Sequence, residues 1–157
     1  MTVKFAFYKP QKGDWFGNMI AGYTRIFNWS ARNYCHVEIG MLIDGVWKWY
    51  SSASRNADGK SGTRWLTEEE LFKHPERWDV LEVPAIRPLQ DMIDTCNKEL
   101  GKPYDWLGIF GFVTITGLEN QRNKWYCSEI CQYVYTGKWI KRVSPERLYE
   151  LVNKKEA

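Results

Sequence analysis

The sequence predicts an α+β domain in which helices bracket an antiparallel hairpin system. Three observations carry this. Val3, Phe5 and Phe7 alternate with Lys4, Ala6 and Tyr8. The run "YCHVEIGMLIDGVWKWYSSAS" places two β-branched and aromatic stretches around Asp44-Gly45, a two-residue hairpin turn. Later segments space their apolar residues at the helical period. The 157 residues suffice for one core and are too few for two, so residues 1–157 are read as a single domain.

The elements follow in order. Residues around Val3–Phe7 form a half-buried strand. Phe16, Met19, Ile20, Tyr23 and Phe27 predict a helix over about 15–27. With Asp44 and Gly45 as the loop, Ile43 faces Val46, Glu38 falls opposite Ser51, and His36 opposite Ala53. Alternation then groups His36 and Glu38 with Trp49, Ser51 and Ala53, and turns Cys35, Val37 and Ile39 to the other side. Thr67-Glu68-Glu69-Glu70 is a capping box that starts a short helix stopping before Pro75. "WDVLEV" is a strand ending at Pro84. Pro88 opens a helix with Leu89, Met92, Ile93, Cys96 and Leu100 on its apolar stripe and Gly101 just past its end. Cys127 to about Tyr135 is a further helix closed near Gly137. Ser144 caps a last one, with Pro145 in its first turn and Leu148, Leu151 and Val152 inward.

Composition narrows the function classes. The net charge of +3 is spread through interspersed acids and bases, and the basic cluster Lys138, Lys141, Arg142 is broken by apolar residues. That balance argues against nucleic acid, which asks for a clustered basic patch. An aromatic share of 16% fits either a ring-lined groove or an aromatic core. No stretch approaches the roughly 20 apolar residues of a membrane span; "WLGIFGFVTITGL" is interrupted by glycines. The amino terminus alternates where a signal peptide would run apolar. A cytoplasmic location with reduced cysteines is therefore expected.

The stretch "NKWYCSEICQ" sets the functional question. Cβ atoms at i and i+4 of a helix lie roughly 5–6 Å apart, and a disulfide wants about 3.8 Å, so Cys127–Cys131 is a poor pair. A zinc site from Cys35, His36, Cys127 and Cys131 fails because Cys35 and His36 leave opposite faces of one strand. No metal and no organic cofactor is expected. Cys127 as a small buried apolar residue is the plain alternative. Against it, Cys127 falls at the amino end of its helix, where unpaired amides and the dipole favour a thiolate. His36 lies on a strand with the carboxylate of Glu38 on its own face. Nucleophile, base and orienting group are the parts of a cysteine hydrolase. His74, before a proline, reads as surface.

"GDWF", "HVEIG", "GKPYDW" and "CSEI", in that order over roughly residues 13 to 150, resemble the circularly permuted NlpC-type papain-like cysteine peptidases and amidases. In that branch the strand histidine precedes the helix cysteine. The resemblance implies a permuted papain-like fold, with a small antiparallel sheet or partial barrel packed by helices. It implies Cys127 as nucleophile and His36 as general base, oriented by Glu38 with Ser51 as the reserve. Tyr104 would line the substrate cleft, and the Cys127 amide would be one oxyanion donor. The implied chemistry is hydrolysis of an amide or ester through a thioester. Its substrates would be a small peptide, a muropeptide or an acyl-lipid. Short members of this kind resemble phage-encoded proteins, which would act in a host cytoplasm or a virion. Two departures stand out. Cys35 directly precedes His36 and should face the core. "SSASRNADGKSGTRW" has an irregular middle; Arg55 and Arg64 could bind a carboxylate there, but solvated loop arginines are the favoured reading. The rival readings are a peptide- or lipid-binding module on the same fold and a virion-associated structural protein in which "CSEIC" is only core.

Overall fold

The structure, a computed structural model, describes residues 1–10, 34–54, 61–105, 124–140 and 143–154. The helix expected over 15–27, Arg55 and the glycine-rich run after Trp106 lie outside the described residues.

The described chain is α+β. One antiparallel sheet takes the strands β1 (Thr2–Tyr8), β2 (His36–Ile43), β3 (Val46–Ala53), β4 (Gly62–Thr67) and β5 (Trp78–Pro84) in the order β4-β3-β2-β1-β5. The helices are α1 (Glu68–Leu71), α2 (Leu89–Glu99), α3 (Cys127–Thr136) and α4 (Pro145–Asn153). A 3₁₀ turn at Pro75–Arg77 leads into β5. None of the described helices is long and apolar enough to cross a membrane.

The turn chemistry sets the central register. Asp44 and Gly45 both adopt positive φ, at 52° and 77°, and the pairs run from Ile43 with Val46 to Ile39 with Tyr50. That is the register read from the Asp-Gly turn. On the other side of β2, Tyr8 pairs with His36 and Ala6 with Glu38. The capping box forms as expected: Thr67 Oγ1 accepts from the Glu70 amide, and the Glu70 carboxylate accepts from the Thr67 amide. Ser144 caps α4, and Gly137 closes α3 in the left-handed conformation.

Helices α2, α3 and α4 bury the main core with β1, β2 and β3. Val3, Phe5, Phe7, Val37, Ile39 and Tyr50 meet Met92, Cys96, Ile130, Val134, Leu148 and Val152. A second, smaller cluster of Ala6, Trp49 and Leu71 packs with Leu66, Phe72 and Trp78. The central sheet is therefore covered on both faces, which corrects the reading of β1 as half-buried. The cover comes from α1, which folds against β3 and β4. Both faces of β2 are closed accordingly, and Glu38 and Gly40 are buried along with Val37 and Ile39. Two apolar positions read as inward turn outward instead. Leu100 leaves the helix in an extended conformation and is half exposed, and Leu151 sits on the solvent flank of α4.

Strand β4 is not expected from the sequence, in which the stretch after Ala53 is irregular. It is tied to the end of α2: the Thr63 amide donates to the Lys102 carbonyl, and the Gly101 amide donates to the Thr63 carbonyl. Gly62 begins β4 at φ +123°, and a Cβ there would overlap the Lys102 carbonyl oxygen. Gly45, also at positive φ, has open space around it. Gly62→Ala should therefore cost about 2–4 kcal/mol of stability and Gly45→Ala about 1 kcal/mol. Urea unfolding followed by tryptophan fluorescence checks this, and equal losses at the two positions would refute the Gly62 contact.

Candidate active site

Helix α3 starts at Cys127 because Tyr126, its N-cap residue, is extended (φ −84°, ψ 151°). Tyr126 offers no side-chain cap, and the acidic residue of the first turn is Glu129. The first amides of α3 are thus left to serve negative charge close to Cys127. The segment leading into the helix is fixed from two sides. Tyr104 bridges Trp125 in parallel fashion, with the Asp105 amide donating to the Trp125 carbonyl and the Trp125 amide to the Pro103 carbonyl. The Trp125 indole donates to Glu99 Oε2 at 2.6 Å, and Lys102 Nζ meets the same oxygen at 2.6 Å.

Strand β2 supplies the other half of the site at its first residue, His36. Its Nε2 lies 2.7 Å from Glu38 Oε1, the cis-face neighbour that strand alternation provides. Cys127 lies close enough to the imidazole to act on its ionisation. The structure thus brings Cys127 near the hydrogen-bonded pair of His36 and Glu38, over more than ninety residues of sequence.

Glu38 is fully buried and is gripped from its far side by Arg64 on β4. Arg64 Nη2 donates to Oε1 at 2.5 Å and Nη1 to Oε2 at 3.2 Å. The reading of Arg64 as a solvated loop arginine is corrected here. Its side chain is only 18% exposed, because β4 pairs Arg64 with Ser51, two strands from Glu38. The carboxyl of Glu38 stays ionised on this account. Burial pushes its pKa up, but the Arg64 charge, then the hydrogen bond and charge of His36, bring it below the ordinary carboxylate value.

His36 moves the opposite way. Burial works against the imidazolium, yet the negative charge and hydrogen bond of Cys127, followed by those of Glu38, lift its pKa to about 9. Tyr104 and Tyr126 both lie near enough to feel the charge of Cys127, and their rings are 5.9 Å apart. Burial and then the charge of Cys127 hold both well above the ordinary tyrosine value, so they remain protonated donors. Trp78 closes the other side of the imidazole, edge-on at 6.2 Å.

The remaining expected residues are placed as follows. Tyr104 is buried beside Cys127. Ser51 is fully buried, and its hydroxyl donates to the Val37 carbonyl at 2.7 Å. Of the two residues considered for orienting His36, Glu38 makes that contact. All four cysteines are unbridged. Cys131 directs its thiol at the carbonyls of Val37 and Tyr50 and at Ser51 Oγ, and burial pushes its pKa well up, as it does for Cys96. Cys35 is 8% exposed with its thiol 3.8 Å from the Tyr8 carbonyl. His74 is exposed, as read. Among the described residues no three metal-ligating side chains gather.

Compared with known proteins, the chain matches no family model and no curated protein sequence.

The shifted groups set a pH dependence. His36 gains its partners on folding, so its contribution to stability is full below about 6.5 and is lost as pH rises through about 9. Glu38 contributes fully above about 4.5 and loses that contribution as pH falls through its lowered value. Between pH 7 and 10 the native chain should lose about 1–3 kcal/mol more than His36→Gln does. Denaturant unfolding at each pH measures this, and parallel declines in the two proteins would contradict it.

Proposed function

We propose that the chain is a cysteine hydrolase with a permuted papain-like arrangement, acting on an amide or an ester. Cys127 is the nucleophile, His36 the acid and base, and Glu38 the group that orients and charges His36. The observation that carries this reading is Cys127 at the first position of a helix, close to an imidazole that is hydrogen-bonded to the buried Glu38 carboxylate.

The chemistry follows from those positions. The Cys127 thiolate attacks the carbonyl carbon and forms the carbon–sulfur bond, while negative charge moves to the carbonyl oxygen. The Cys127 amide, at the first position of the helix, is the donor for that charge. The His36 imidazolium gives its proton to the departing nitrogen or oxygen, leaving a thioester. A water that loses its proton to His36 then attacks the thioester, releases the acid and restores the thiolate–imidazolium pair. Candidate substrates are small peptides, muropeptides and acyl-lipid esters, in keeping with the family resemblance of the four motifs.

One observation favours a second reading. Cys127 has 0% exposure, as a core cysteine of a non-catalytic binding module or virion-associated structural protein would. Limiting iodoacetamide separates the two. Accessibility alone labels Cys35 first, at 8% exposed, whereas the hydrolase reading requires Cys127 to react ahead of Cys35, Cys96 and Cys131. Cys127→Ala and His36→Ala should each lower turnover of a cleaved muropeptide or acyl-lipid ester by about 10³-fold or more. Turnover that survives Cys127→Ala would end the hydrolase assignment.

A further inference from the structure

Glu38 presents two carboxylate oxygens, and both are taken by Arg64, while Oε1 is shared with His36. The guanidinium meets both oxygens of this fork at once and sets its positive charge against them. We propose that Arg64 is a positioning residue of the Cys127–His36–Glu38 site, holding the carboxylate that orients His36. The inference rests on the hydrolase reading above and extends it to a residue outside the three reacting groups.

Glu38 is fully enclosed, His36 is 21% exposed at its side chain, and Cys127 is fully enclosed. A thiolate and a carboxylate with only one imidazolium between them would leave a net negative charge in a poorly solvated place. Arg64 supplies the second cation, so the set of Cys127, His36, Glu38 and Arg64 is neutral. Other titratable groups near this set are Tyr8, which pairs with His36, Cys131 on α3, and Tyr104 and Tyr126 near Cys127, together with two buried carboxylates, Glu129 in the first turn of α3 and Asp105 next to Tyr104. None of these named groups is a cation, so His36 and Arg64 are the positive charges set against the anions here.

Removing that cation makes the cluster bind a proton more readily, at the thiolate or at Glu38. The readout is the rate of Cys127 alkylation by iodoacetamide from pH 5 to 9, with adducts mapped by peptide mass. In Arg64→Met the acid limb of this curve should move up by about one unit or more. Arg64→Lys, which keeps the charge, should return the limb to within a few tenths of the native position. Arg64→Gln removes the charge but retains a donor for Glu38; it serves as the second variant, and the same upward shift is required of it. Tryptophan fluorescence and urea unfolding establish that each variant is folded. A purely structural role for Arg64 lowers stability but leaves the limb of the folded protein where it was. An unmoved limb in the uncharged variants, or a limb that stays displaced in Arg64→Lys, overturns the proposal. If the native chain shows no preferential labelling of Cys127, the hydrolase reading falls and this inference falls with it; preferential labelling with an unmoved limb sinks this inference alone.

Discussion

A carboxylate with no exposed surface is the constraint around which this molecule is arranged. An isolated buried charge costs several kcal/mol, and ionisation survives only if partners replace the lost water. Glu38 has two such partners on opposite sides, Arg64 from β4 and His36 from its own strand. The strand pairing that delivers Arg64 and the strand periodicity that delivers His36 are therefore parts of one electrostatic solution. Cys127 acts in turn on His36, and the Cys131 thiol meets the Val37 and Tyr50 carbonyls, so the sheet and helix α3 are joined by polar contacts as well as by apolar packing.

Much of this was legible in the sequence, for local reasons. Asp44-Gly45 sets the hairpin register because few residues tolerate positive φ at consecutive turn positions. Alternation alone groups His36 with Glu38. The capping residues Thr67, Ser144 and Gly137 announce helix ends by side-chain and backbone chemistry that acts within a few residues. Cys127 at the head of α3 belongs to the same class of signal, since the helix pattern begins there.

What escaped the reading depends on partners distant along the chain. Strand β4 follows a run of Ser, Gly, Asn and Asp that dilutes the strand pattern, so Arg64 had no visible reason to be buried. Only the pairing of Ser51 with Arg64 gives it one. The double cover of β1 depends on α1 folding back over the sheet, which four helical residues do not declare. The clamp of Glu99 on Trp125 and Lys102 joins residues that read separately as a helix end, a turn and an aromatic stretch. That clamp, with the stacking of Trp125 on Tyr133 at 5.2 Å, fixes the approach to Cys127 where local signals leave it open.

Strand β4 lies at the rim of the sheet, and rim strands in general peel away more readily than interior ones. Here peeling would withdraw the guanidinium and strand an anion in the protein interior. Fraying of this margin would therefore also undo the charge pairing around Glu38. The Thr63 bonds to the far end of α2 act as a hasp on that margin, so a junction away from the carboxylate helps to keep its cation in place.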